Sequence, residues 1–145
     1  MAYPVCAVLL TEDPLANPTL AHAEETGGVV DFWGVVRRME DGRRISGIEY
    51  EAHRAMAEHQ LGVMAEQASR DFELKQVVVQ HRIGYVAAGE ASLFVRVGSR
   101  HRAEAFRASI WLVDELKRRA PIWKRPVFAE AATRQAGEEV GAIEK

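Results

Sequence analysis

The chain of 145 residues has a single cysteine and only 8% aromatic residues, and no apolar run approaches the ~18 residues a membrane span requires. One thiol excludes a disulfide within the chain. Cys6 lies in the apolar run Val5-Cys6-Ala7-Val8-Leu9-Leu10, which predicts a buried small hydrophobe rather than a nucleophile. There is no G-x-x-x-x-G-K-[ST], no G-x-G-x-x-G, no H-E-x-x-H and no paired C-x-x-C, which argues against a P-loop, a Rossmann fingerprint and a structural zinc site. The start of the chain lacks a basic segment followed by a long apolar stretch, so a cytoplasmic protein is expected.

What is present is ordinary globular composition, 48% hydrophobic and 28% charged, in a length that suits one domain with its own core. The expectation is a single domain over residues 1–145 with a polar tail from about residue 130. The net charge of −2 hides an asymmetry: residues 96–125 hold nine Lys/Arg against three Asp/Glu, leaving ten against eighteen elsewhere. Such a segment is suited to an anionic ligand.

Residues 5–10 read as a strand, and Thr11-Glu12-Asp13-Pro14 offers capping chemistry for a short helix over 15–25, ended by Gly27-Gly28. Residues 29–36 read as a strand leading through an Asp41-Gly42 hairpin turn to a partner strand over 45–52. Ala57, Leu61, Met64 and Ala68 make the apolar stripe of a helix over 54–70. Strands over 74–79 and 91–97 should pair, with Ile83-Gly84 and Gly89 in their connection. A long helix over 102–119 is stopped by Pro121, and a short strand over 122–128 follows. Without a regular βαβ alternation the class is α+β.

Within the long helix, Phe106, Ser109, Ile110, Val113 and Leu116 cover one arc, and the helical wheel places Lys117 between Phe106 and Ile110. A lysine inside an apolar face either snorkels its stem along the core or is desolvated enough to serve as an acid, base or nucleophile. Pro121 could turn the chain so that Lys124 returns near Lys117. Ser99-Arg100-His101-Arg102 stands at a strand-to-helix junction, where free backbone N–H groups favour phosphate. Arg37 and Arg38 leave the strand that carries Phe32 and Gly34, a charged hairpin rim on its face. His53 and His59 lack the spacing that puts two metal ligands on one helix face, and no metal site is expected.

Four blocks add to this reading. Phe32-Trp33-Gly34-Val35-Val36-Arg37, His81-Arg82-Ile83-Gly84, Ser99-Arg100-His101-Arg102 and Lys117-Arg118-Arg119-Ala120-Pro121-Ile122-Trp123-Lys124-Arg125 resemble, in order, signatures of the molybdopterin synthase catalytic (large) subunit family. Glu49-Tyr50-Glu51-Ala52 and Met56-Ala57-Glu58 resemble its middle segment. The resemblance implies an α/β-hammerhead-like single domain with a mixed or antiparallel sheet and a long C-terminal helix. It also implies a homodimer, each subunit receiving the Gly-Gly thiocarboxylate tail of a small ubiquitin-like sulfur carrier, hence a heterotetramer. The substrate it implies is cyclic pyranopterin monophosphate, with sulfur supplied by the carrier and no bound cofactor.

Carried over by position, the resemblance makes Lys117 and Lys124 the catalytic pair. It makes Val35, Val36, Arg37, His101, Arg102, Arg125 and Pro126 substrate-binding residues and Phe32 a pocket residue, with His101 and Arg102 reaching the phosphate across the dimer. The competing reading from a different class is a non-enzymatic module gripping nucleic acid or a phosphorylated partner with residues 96–125. Overall acidity and few aromatic stacking platforms weigh against it.

Overall fold

The computed structural model describes residues 5–19 and 21–129. Ten elements follow in order: β1 (Cys6–Thr11), β2 (Gly28–Val35), β3 (Met39–Glu40), β4 (Arg43–Ala52), α1 (Arg54–Asp71), β5 (Gln76–Arg82), β6 (Gly84–Ala87), β7 (Ala91–Ser99), α2 (Arg102–Arg119) and β8 (Ile122–Phe128). The fold is α+β. One sheet has the order β1-β5-β7-β2, with β1 and β5 parallel and the other pairs antiparallel. The second has the order β3-β4-β6, with β8 also antiparallel to β4. No helix among the described residues is long and apolar enough to cross a membrane. The expected polar tail lies outside the described residues.

Both helices pack on one face of the first sheet. Strand alternation sends Val77 and Val79 of β5 and Leu93, Val95 and Val97 of β7 to that face, where they meet Leu61, Met64 and Ala68 of α1 and Ala108, Leu112 and Leu116 of α2. A separate small core of Val36, Ile45, Ile48 and Val86 belongs to the second sheet. The two cores meet along a seam.

Several expectations are corrected. Residues 12–19 and 21–27 form no helix but an irregular strap. The buried guanidinium of Arg96 explains it: Nη1 donates to the carbonyls of Pro18 (3.3 Å) and Thr19 (3.1 Å), and Nη2 to Asn17 Oδ1 (3.2 Å). Nε and Nη2 also grip the two oxygens of Asp31 at 2.7 and 2.8 Å, so all five N–H groups are used. Carbonyls committed to Arg96 are unavailable to a helix, and β7 is buried on both faces. The β4 strand is not the partner of β2, which pairs with β7 instead. The Asp41-Gly42 turn does form, with φ of 52° and 76°, but it joins β4 to the two-residue β3. The connection after Ile83 contains a strand, β6, too short to show an alternating pattern.

Helix α2 has the predicted bounds but not the predicted face. Ala105, Ala108, Ser109, Leu112 and Leu116 are buried, whereas Phe106 is 56% and Ile110 64% exposed. Alanines that let the helix sit close to the sheet carry little hydrophobic signal, so the wheel was drawn toward the larger Phe106 and Ile110. Lys117 therefore lies on an exposed flank, not within a desolvated apolar stripe.

Candidate functional site

A cleft of about 520 Å³ opens on the seam between the two cores. Phe32, Val35, Val36 and Arg37 enter it from the end of β2, where a β-bulge between Gly34 and Val35 breaks the register with β7. Lys117 and Ala120 enter from the last turn of α2. Ala120 adopts an extended backbone before Pro121, and that break turns the chain into β8, which carries Ile122 and Lys124 into the same cleft. The fold-back of Lys124 toward Lys117 is thus realised through β8 pairing with β4, Lys124 opposite Tyr50.

The charge arrangement separates the cations. Lys117, Arg118 and Arg119 are consecutive, but Glu115 accepts from Arg118 at 2.7 Å and from Arg119 at 2.9 Å. Those two guanidinium groups, Arg119 first, hold the Glu115 carboxyl below its ordinary pKa. Lys117 has no carboxylate partner among the described residues. Glu40 sits between Arg37 and Lys124, 3.9 Å from each, too long for a direct hydrogen bond.

Across residues 96–125 the same sorting holds. Arg96, Arg100, Arg107, Arg118, Arg119, Lys124 and Arg125 each face a carboxylate within 4 Å. Arg102 and Lys117 do not, among the described residues. The basic segment is therefore not a continuous polyanion-binding surface, and the nucleic-acid reading receives no support from it.

Of the residues singled out from sequence, Phe32, Val35, Val36, Arg37, Lys117 and Lys124 come together in the cleft. His101 and Arg102 are exposed at the opposite end of α2. Fifteen residues of α-helix separate Arg102 from Lys117, a rise of ~22 Å, so one chain does not bring them together. Arg125 alternates with Lys124 along β8 and pairs loosely with Glu51 at 3.7 Å. Pro126, two residues beyond Lys124, lies opposite Ile48, outside the cleft lining.

Sequence reasoning missed Glu40, Tyr50, His81 and Ser92, which also line the cleft. His81 and Tyr50 stood in quoted motifs without a role, and Glu40 lies in the polar run 38–44 that reads only as a hairpin turn. Cys6 is remote from this cleft, and burial pushes its thiol up to about 11, the behaviour of an inert sulfhydryl.

Fold and site together define an α+β protein with a cationic cleft at the junction of two sheets. The sequence profile of the MoaE protein family matches residues 10–119, and the chain belongs to that family. Over 111 residues it is 40% identical to the molybdopterin synthase catalytic subunit of Pyrococcus abyssi, covering 77% of this chain and 75% of that one. Its fold is similar to molybdopterin synthase from Staphylococcus aureus, with a TM-score of 0.77, 28% identity and coverage of 82% and 89%. It also resembles in fold a protein–protein complex of subunits 1 and 2 of molybdopterin-converting factor from Helicobacter pylori, at a TM-score of 0.61 and 18% identity over 87% of this chain and 90% of that one.

Proposed function

We propose that this chain is the catalytic subunit of a molybdopterin synthase, transferring sulfur from the C-terminal thiocarboxylate of a small Gly-Gly-ending carrier to cyclic pyranopterin monophosphate. The observation that carries the reading is Lys117: in a chain of this family, it is the cation of its cluster left without a carboxylate, and it shares a cleft with Lys124 and Arg37. Ammonium groups there would stabilise negative charge developing at the thiocarboxylate carbonyl or relay a proton, while Arg37 holds the anionic substrate. Sulfur enters on the carrier, in keeping with a Cys6 that is half-buried rather than fully buried as expected and has no part in the cleft.

The phosphate would be met by His101 and Arg102 of a second copy, making the enzyme a homodimer that binds two carriers. Two features support this: Arg102 has no carboxylate partner among the described residues and lies ~22 Å along α2 from Lys117, and Phe106 and Ile110, exposed on the same helix, add apolar surface of the kind a subunit contact buries. The test is to mix the chain with thiocarboxylated carrier and the cyclic pterin and to assay the dithiolene product. No product from a folded, dimeric preparation defeats the proposal.

A further inference from the structure

His81 ends the inward-facing row Val77, Val79, His81 on β5, where the first core gives way to the cleft. Its Nδ1 lies 2.7 Å from the carbonyl oxygen of Arg82. A carbonyl only accepts, so Nδ1 carries the proton and Nε2 keeps its lone pair. No described residue hydrogen-bonds to Nε2. The ring is held edge-on by Tyr50, centroids 5.2 Å apart at 78°, and Tyr50 is itself fixed by donating its hydroxyl to Ser92 Oγ at 3.1 Å.

The other polar groups of the cleft define what this nitrogen can do. Arg37, Lys117 and Lys124 only donate. Glu40 accepts, but its two oxygens lie toward Arg37 and Lys124. A reduced pterin carries N–H donors along its ring edge, and any left without an acceptor in a cleft rich in cationic donors would cost binding. Nε2 of His81 is an acceptor that no described residue uses. We infer that His81 is a substrate-positioning residue whose Nε2 accepts a hydrogen bond from an N–H of the pterin ring and sets that ring between the two lysines. The inference rests on the cleft being the pterin site.

Burial lowers the His81 pKa against the opposing effect of the Arg82 carbonyl, so the ring remains neutral, and an acceptor, through the neutral range. Three preparations test the role by direct binding of the cyclic pterin monophosphate: wild type, His81→Phe, which keeps a flat ring without an acceptor, and His81→Gln, whose amide oxygen can reach the position of Nε2. Wild type should bind; if it does not, the reading of the cleft itself fails. His81→Phe should bind about tenfold or more weakly, the scale of a lost hydrogen bond to a buried donor, and His81→Gln should recover most of that loss.

The pH profile adds a readout that packing alone does not move. Wild-type affinity should fall in acid, below the ordinary imidazole range, as Nε2 is protonated. The titratable and charged groups that line the cleft with His81 are Tyr50 from β4, Lys117 from α2, Lys124 from β8, and Arg37 and Glu40 around β3. Glu40 is retained in His81→Gln, where the imidazole step should vanish, so the difference between the two acid limbs belongs to His81. A folded His81→Phe that binds within twofold of wild type overturns the assignment. So does a His81→Gln that binds as weakly as His81→Phe, or that keeps the wild-type acid limb.

Discussion

Arg96 and Lys117 belong to the same basic segment and occupy opposite extremes of it. Arg96 is 2% exposed, with all five N–H groups engaged by Asp31, Asn17, Pro18 and Thr19. Lys117 is exposed, lines a cleft and has no carboxylate partner among the described residues. A cation whose donors are all used within the fold is structural. One whose neighbours Arg118 and Arg119 are neutralised by Glu115 while it is left alone is available to a ligand. Positive charge in sequence does not distinguish the two; the partners do.

The largest expected effect tests the structural side. Arg96→Ala leaves Asp31 without its guanidinium and frees the strap at Asn17, Pro18 and Thr19, and removal of one partner of a buried ion pair costs about 3–5 kcal/mol. Denaturant unfolding should show a loss of that order, with turnover per folded molecule close to wild type. A change under about 1 kcal/mol, within the range of an exposed ion pair, would falsify the structural role.

Lys117→Ala should behave in the opposite way. Turnover should drop on the order of 10²-fold or more, the scale for removing an acid–base or charge-stabilising group. Stability should stay within about 0.5 kcal/mol, as for an exposed position. Lys117→Arg should not restore turnover, because a guanidinium is wider and does not give up its proton. Full activity in folded Lys117→Ala would return Lys117 to the surface charges.

Arg102, the other cation of residues 96–125 without a carboxylate within 4 Å among the described residues, sharpens the contrast within α2. Arg102→Ala should raise KM about tenfold and alter kcat less, since a guanidinium on a phosphate chiefly holds the ligand. Because Arg102 and Lys117 of one chain lie ~22 Å apart, mixed dimers of Arg102→Ala and Lys117→Ala chains should contain one intact pocket each. Activity above that of either parent is the expected result, and its absence would place Arg102 outside the shared site.

The elements were legible where one residue set both the local conformation and the packing. Pro121 ended α2 where expected, Asp41-Gly42 made its turn, and the Ala57, Leu61, Met64, Ala68 row faces the core. Strand partnership was not legible: β2 and β4 are joined by a hairpin segment yet sit in different sheets, because the choice depends on β7, more than fifty residues on in sequence. The strap was hidden for a similar reason, since Arg96 holds it from 77–79 residues away. At the cleft, the lysines and the end of β2 stood in motifs, but the isolation of Lys117 depends on Glu115, one turn before Arg118 and Arg119. The wheel singled out Lys117 through an apolar face that the structure places elsewhere.

The smallest effect concerns Glu115 itself. Its carboxyl is held below the usual range by hydrogen bonds from Arg119 and Arg118. A carboxyl with a depressed folded pKa stabilises the fold fully above the unfolded value of about 4.3 and loses that contribution as pH falls through the folded value. Glu115→Gln should therefore melt slightly below wild type at pH 7, and the gap should close as pH is lowered beneath about 4. Glu25, likewise depressed by Lys75 and Arg100, titrates in both proteins and cancels from the comparison. The same substitution releases Arg118 and Arg119, so Lys117 would no longer be the unpaired cation of its cluster. Inorganic phosphate should then inhibit Glu115→Gln at lower concentration than wild type, by a few-fold at most for exposed charges. Equal inhibition of the two proteins would mean that Glu115 does not set the isolation of Lys117.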